Sequence, residues 1–418
     1  MPNPPTPLEQ TLHTHLTSRL HHSTLRTLSL PLPHQIDFSS NDFLSLSTSH
    51  PLRALFLSLL PHHPLGSGGS RLLDGNSALA ESLEASIASF HGADAGLLFN
   101  SGFDANAGFF AAVPQKGDTV VYDEKVHASV HDGMRLSRAA RRVAFRHNSI
   151  EALRGVLEAE RDKAGRCNVF VAVESVYSMD GDVAPLREMV DVAEEVLGKE
   201  RAYVVVDEAH ATGVLGLRGR GLVSELGLEG RVFARLHTFG KALAGNGAIL
   251  LGSHTLRHYL INYARPLIYT TFLSYPSLVL IQASYEMLKS GQSEKLQANL
   301  HDLIRTLYAK LEGLQKTSSH ACRLLKIPSV CPRSPIFAVQ LTNPKALASS
   351  LQEQGMMVRA VVSPTVPIGT ERVRICLHAG NTVAEIEKLV LALKRWCESQ
   401  AEGNTERQPL DPSKRARL

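Results

Sequence analysis

From about Ile36 onward, short apolar runs alternate with amphipathic stretches. Ala95–Phe99, Thr119–Tyr122, Val169–Val173, Tyr203–Val206, Val232–Leu236 and Ala248–Leu251 are each brief and continuously apolar. That texture predicts strands covered on both faces, as in a parallel sheet. Between them, Ser77–His91 carries Leu79, Leu83, Ile87 and Phe90 on one stripe, and Gly92 predicts its end. Ile150–Ala159 and Leu186–Leu197 repeat the stripe. Strand–helix alternation of this kind predicts an α/β fold with a large, mostly parallel sheet.

Further on, a long helical tract is expected from about Pro276 to Leu314, with Leu303, Leu307 and Leu311 at spacing four. Strands at Pro335–Leu341, Met357–Val361 and Arg372–Leu377, with helices at Asn343–Gln354 and Thr382–Cys397, predict a smaller C-terminal α+β domain. Residues 1–35, rich in Pro, His, Thr and Leu, predict an arm with one helix around Leu8–Leu28. The expected division is an arm over 1–40, a large domain over 41–290, a small domain over 291–398 and a polar, disordered tail over 399–418.

Composition narrows the function classes. Of 418 residues, 44% are apolar, which excludes a disordered chain and a disulfide-stapled miniprotein. A net charge of +4 is too mild to imply nucleic-acid binding by electrostatics alone. The five cysteines, Cys167, Cys322, Cys331, Cys376 and Cys397, form no C-x-x-C pair and are odd in number. They argue against a disulfide framework or a zinc site, so no metal is expected, and for a reduced intracellular compartment. No apolar run reaches the ~18 residues of a membrane span, so no membrane partner is expected, and the opening MPNPPTPLEQ lacks the features of a secretory signal. The terminal Ala416-Arg417-Leu418 is a small–basic–Leu variant of the S-K-L address. It carries an expectation of peroxisomal location, through the import receptor; a frayed basic tail fits the same tripeptide equally well.

The chemistry gathers at strand ends. Tyr203–Val206 runs into Asp207-Glu208-Ala209-His210, and the next strand leads to His237-Thr238-Phe239-Gly240-Lys241. Acidic and histidine residues just past parallel strands lie where α/β sheets bind ligands. On the T-x-G-K string alone, Lys241 suits a surface lysine as well. With Asp207 the balance changes, because pyridoxal phosphate needs a Schiff-base lysine and a carboxylate at its pyridinium nitrogen. Asn100-Ser101-Gly102-Phe103-Asp104-Ala105-Asn106-Ala107-Gly108 follows a strand and opens a helix, so its backbone N–H groups would face a phosphate. His127, after the strand ending at Tyr122, offers a flat imidazole to stack on a cofactor ring.

Gly66-Ser67-Gly68-Gly69-Ser70-Arg71, Asn100-Ser101-Gly102-Phe103, His127-Ala128-Ser129, Glu174-Ser175-Val176-Tyr177-Ser178-Met179-Asp180-Gly181-Asp182, Asp207-Glu208-Ala209-His210-Ala211-Thr212-Gly213 and Thr238-Phe239-Gly240-Lys241 follow one another in this order. In that order they resemble the α-oxoamine synthases, over roughly Asn41 to Leu393. The resemblance implies a fold-type I pyridoxal-phosphate architecture and a homodimer with shared sites. It implies Lys241 as the Schiff-base lysine and proton carrier, Asp207 at the pyridinium nitrogen, His127 on the ring face and His210 at the ring oxygen. Ser178, Thr238 and the Gly102 and Phe103 N–H groups would hold the cofactor, with Thr270 or Thr271 reaching the phosphate of the other subunit. Arg374 would hold the amino-acid carboxylate in a bidentate fork, with Asn41 near the substrate and Arg26 as a substrate-side arginine.

Within the family, Ser363-Pro364-Thr365-Val366-Pro367-Ile368-Gly369-Thr370 resembles a segment of the biotin-pathway branch, with Thr365 as a substrate contact. That branch condenses L-alanine with pimeloyl-CoA. Ser70 stands where glycine-specific members carry Thr, and the smaller side chain leaves room for the alanine methyl, a preference of ~1–3 kcal/mol. Glu174-Ser175 in place of E-G, Ser363 in place of Pro, Val362 in place of Arg and His378 after the Arg374 strand depart from that branch. A synthase using another amino acid or acyl-CoA therefore fits the sequence too. A non-catalytic partner subunit of this fold lacks the lysine that Lys241 supplies, and G-S-G-G-S-R lacks the spacing of a nicotinamide-binding turn.

Overall fold

The computed structural model describes residues 5–405, apart from 23, 29, 31 and 163–166. Among the described residues, a seven-stranded sheet runs in the order Ala95–Phe99, Ala248–Gly252, Ala234–Thr238, Ala202–Asp207, Val169–Glu174, Thr119–Asp123, Arg141–Phe145. The Ala248–Gly252 strand is antiparallel to both neighbours and the other pairs are parallel. Alternate residues feed two separate cores. Val169, Val171 and Val173 join one cluster with Val204 and Val206, while Phe170 and Ala172 join the other with Val205. Two covered faces explain why these strands read as unbroken apolar runs.

The edge strand Arg141–Phe145 gave no such run. Arg141 and Arg142 are exposed and only Phe145 is buried, as suits a charged sheet edge. A second unforeseen element is the helix Ala128–Leu136, which lies against Gly102–Ala112. The approach is close, because a Cβ on Gly133 would stand 2.8 Å from Phe110 Cβ and 2.9 Å from the Ala107 carbonyl.

Other expectations need correction. The arm helix spans Pro7–His21 and stops well short of Leu28. Thr6 and Glu9 form its capping box, His22 folds back onto the Ser18 carbonyl, and none of its residues is buried. Without a packed stripe, nothing drives the helix further. The tract after Pro276 is two helices, Tyr275–Lys289 and Glu294–Thr317, parted at Gly291 in left-handed backbone (φ 79°). Met357–Val361 divides into Met356–Met357, which pairs with Ile36–Asp37, and Arg359–Val361. The latter joins a three-stranded antiparallel sheet with Arg372–Cys376 and Ile336–Gln340. The last helix, Val383–Thr405, continues past Ser399, where a disordered tail was expected. Ala416-Arg417-Leu418 lies outside the described residues. Among those described, no helix is long and apolar enough to cross a membrane, and no His, Cys, Asp or Glu cluster is placed to hold a metal.

Candidate active site

Four neighbouring parallel strands end, along one sheet edge, on polar residues: Asp123, Glu174, Asp207 and Thr238. This carboxyl edge is where open α/β sheets receive ligands. Asp207 is only 9% exposed. Asn106 Nδ2 donates to its Oδ2 at 2.8 Å and the Ala209 N–H to its Oδ1 at 2.9 Å, so the carboxylate is fixed in place.

Asn106 also donates to Ser129 Oγ at 3.0 Å, and Ser129 Oγ lies 2.8 Å from His127 Nδ1. The Ser129 N–H donates to the same Nδ1 at 3.3 Å, which puts the ring proton of neutral His127 on Nε2. A short relay thus ties the His127 ring to Asp207. Asn106 and Ser129 were quoted in the sequence motifs without a role. The available signal was a polar side chain on the buried face of an otherwise apolar helix.

Lys241 Nζ stands 3.0 Å from His210 Nε2. Burial lowers the Lys241 pKa, helped by Arg374, and outweighs the opposing pull of Asp207 and Glu174. Burial, then the charges of Lys241 and Arg374, hold His210 well below the usual imidazole range. His127 is lowered mainly by burial, against the pull of Asp207. Glu174 moves the other way: burial and then Asp207 raise it well above the carboxylate range, and its Oε1 is buried without a partner.

Arg374, 8% exposed, donates from Nε to the Ser178 carbonyl at 2.7 Å and from Nη2 to Asn41 Oδ1 at 3.0 Å. The structure therefore brings Arg374, Ser178 and Asn41 together from segments remote in sequence. His378 supports this group from behind, with Nδ1 3.0 Å from the Asp37 carbonyl and Nε2 3.0 Å from Ser40 Oγ.

On the other side, Ser101 caps the helix Gly102–Ala112 by accepting from the Asp104 N–H at 3.0 Å. The first-turn N–H groups of Gly102 and Phe103 precede the intrahelical ladder and are available to an anion. A Cβ on Gly102 would lie 3.5 Å from Thr238 Oγ1, so Thr238 borders this cradle. Thr270 and Thr271 sit beside Asn100 of their own chain, whose Nδ2 reaches the Thr271 carbonyl at 2.7 Å and Thr270 Oγ1 at 3.4 Å. Ser70 belongs to a loop docked on the same segment, where the Phe272 N–H donates to the Gly69 carbonyl at 2.9 Å. A cavity of about 920 Å³ opens beside His127 and Ser178, and Arg26, Lys125, Thr365 and Arg372 also line it. Arg26 and Thr365 are thus placed on the approach to the site.

This donor set fits pyridoxal phosphate. It holds a buried amine with a lowered pKa, an anchored carboxylate, a helix N-terminus for a phosphate, and a buried His210 Nδ1 with no partner among the described residues.

Comparison with known proteins agrees. The aminotransferase class I and II family matches residues 33–393. The chain is 55% identical over 380 residues to the 8-amino-7-oxononanoate synthase of Emericella nidulans, covering 89% of this chain and 91% of that one. It is 42% identical over 381 residues to the aminoacyl transferase sphA of Aspergillus fumigatus, covering 86% and 80% respectively. Among solved structures, a high-resolution structure of SPT with PLP superposes with a TM-score of 0.81 at 26% identity, covering 94% of this chain and 99% of that one.

Proposed function

The chain belongs to the aminotransferase class I and II family, as an α-oxoamine synthase that uses pyridoxal phosphate, and from that premise we propose that it condenses L-alanine with pimeloyl-CoA. The products are 8-amino-7-oxononanoate, CoA and carbon dioxide. The observation that carries this choice of substrates is the 55% identity to a synthase of that name over nearly the whole of both chains.

When bound, the coenzyme supplies an electron sink for negative charge at the amino-acid Cα. The protein does the rest. Lys241 Nζ would hold the coenzyme and, once displaced by alanine, would move the Cα proton; burial lowers its pKa, so the free amine needed to accept that proton forms more readily than on an ordinary lysine. Asp207, held by Asn106 and Ala209, would pair with the ring nitrogen and keep it protonated. His210 Nδ1 would contact the ring oxygen and the His127 imidazole would stack on the ring face. The Gly102 and Phe103 N–H groups, with Ser178 and Thr238, would hold the phosphate, and Thr270 or Thr271 would reach the phosphate of the other subunit.

Arg374, aimed by Ser178 and Asn41, grips the alanine carboxylate. The acyl thioester enters through the cavity lined by Arg26 and Thr365, and the small Ser70 side chain would leave room for the methyl of alanine. After the C–C bond forms and CoA leaves, loss of carbon dioxide is followed by reprotonation at the same carbon by Lys241.

The working form on this reading is a homodimer with shared sites. The terminal Ala416-Arg417-Leu418 carries the chain into peroxisomes through the import receptor, where chain-shortened acyl-CoA thioesters are made. Comparing a fluorescent fusion with and without Leu418 tests that address.

A second reading keeps the chemistry and changes the substrates. It is favoured by the 42% identity to the aminoacyl transferase sphA and by Glu174-Ser175. A steady-state assay across amino acids and acyl-CoA chains separates the two. Alanine with pimeloyl-CoA must give the highest kcat/KM; if another pair does, the biotin-pathway assignment falls and the second reading stands.

A further inference from the structure

His147 follows the edge strand Arg141–Phe145, outside the ring of groups described so far. Its Nδ1 lies 2.9 Å from Asp123 Oδ1 and its Nε2 2.6 Å from Asp182 Oδ2. A neutral imidazole would turn a lone pair toward one of these carboxylates, so this double contact calls for a proton on both nitrogens. Asn148 repeats the bridge, donating from its backbone N–H to Asp123 Oδ2 at 2.8 Å and from Nδ2 to Asp182 Oδ2 at 2.7 Å. It does so from left-handed backbone (φ 51°), which Asn tolerates. The His147 ring meets the Tyr177 ring edge-on at 4.5 Å, and its backbone N–H donates to Glu124 Oε1 at 3.1 Å.

The two carboxylates belong to two different active-site loops. Asp123 opens the turn toward His127, with Oδ1 accepting from the Lys125 N–H at 2.9 Å and its carbonyl from the Val126 N–H at 3.1 Å. The Asp182 carbonyl accepts from the Tyr177 N–H at 3.0 Å, one residue before Ser178, whose own carbonyl aims Arg374. Asp123 is fully buried, His147 is 13% exposed and Asp182 40% exposed, so the bridge runs from the interior to the surface.

We propose that His147 is a positioning residue: as a doubly bonded imidazolium it locks the loop carrying His127 to the loop carrying Ser178, and so keeps the ring-stacking imidazole in register with the Arg374 fork. The roles of His127 and Arg374 in this statement rest on the function proposed above. Burial works against the charge, yet the hydrogen bonds to Asp123 and Asp182 prevail and push the His147 pKa up to about 9. The charged and titratable groups that face it are Asp123, Glu124, Asp182 and Tyr177, with the Lys125–Asp180 ion pair in the same two loops. The lock holds at neutral pH and opens as pH rises past about 9.

The test compares the full-length holoenzyme with His147→Gln and Asp182→Asn, the latter on the exposed side of the bridge. The readouts are the pyridoxal phosphate dissociation constant, the visible circular dichroism of the bound coenzyme from pH 6 to about 10.5, and the KM for alanine. Both variants are expected to keep the far-ultraviolet spectrum of the wild type. Their coenzyme affinity falls by about tenfold to a hundredfold, the scale seen when partners that orient ligand-holding side chains are removed. The wild-type dichroism changes with a midpoint near pH 9; that transition moves down in Asp182→Asn and is lost in His147→Gln. If His147→Gln fails to fold, Asp182→Asn decides alone. Variants indistinguishable from wild type in affinity and dichroism at every pH overturn the proposal. A wild type that binds the coenzyme but makes no product from alanine and pimeloyl-CoA overturns the substrate assignment, while the affinity and dichroism comparison still decides the lock.

Discussion

Lys241 Nζ and His210 Nε2 lie 3.0 Å apart, a hydrogen bond that needs a lone pair on one of them, so the two cannot both be cations. Burial pushes both pKa values down, which favours a neutral imidazole beside an amine that gives up its proton more readily than an ordinary lysine. On the proposed function, replacing Lys241 with Ala removes both the bond to the coenzyme and the proton carrier. The absorbance due to the covalent lysine–coenzyme bond is expected to vanish and turnover to fall by at least the roughly 10²–10⁴-fold typical of a lost acid–base group. Absorbance and single-turnover assays on one preparation check this.

Arg374→Lys keeps the charge and loses the fork. The bonds to the Ser178 carbonyl and Asn41 Oδ1 then no longer aim a planar group at the substrate. With a charge-assisted hydrogen bond contributing about 1.5–3 kcal/mol, kcat/KM for the amino acid is expected to drop roughly tenfold to a hundredfold, mostly through KM. A kcat loss at unchanged KM would contradict the carboxylate role.

Gly133→Ala tests how the site is supported. The added Cβ would press on Phe110 Cβ and the Ala107 carbonyl, where the helix starting after His127 crosses the helix starting at Gly102. Overpacking of this kind costs about 1–3 kcal/mol. Denaturant unfolding should show that loss in the midpoint, with the slope unchanged.

His91 predicts an acid-side loss of stability. It is fully buried, its Nδ1 bonded to the Arg220 carbonyl at 3.1 Å and its Nε2 to the Tyr285 hydroxyl at 3.1 Å, and its ring lies 3.9 Å from that of His237. Burial and then Arg235 push its pKa down to about 3, against 6.5 when unfolded. A depressed folded pKa stabilises above the unfolded value and the contribution fades as pH falls. The melting temperature is therefore expected to decline from about pH 6.5 toward pH 3, with a shallower slope in His91→Gln. Equal slopes would remove His91 as the cause.

Much of this architecture was legible because local chemistry and tertiary role coincide. The strand Ala95–Phe99, the helix Leu186–Leu197 and the stop at Gly92 (φ 67°) follow from apolar period and a residue free to adopt left-handed backbone. Arg141–Phe145 was not legible because an edge strand needs no apolar run. The break at Gly291 was hidden because the leucine spacing continues beyond it in the helix Glu294–Thr317.

The same division holds at the site. Residue types and their order along the chain pointed to a lysine, an aspartate, two histidines and a helix start with N–H groups free for an anion, because each follows a strand or opens a helix and those signals are local. Only the tertiary structure decided that Asn106 and Ser129 join His127 to Asp207, that Asn41 and Ser178 aim Arg374, and that His147 bridges Asp123 and Asp182. These partners are brought within hydrogen-bond reach by the packing of separate helices and strand ends. A distance of about 3 Å between residues far apart in sequence leaves no mark on the spacing of either one.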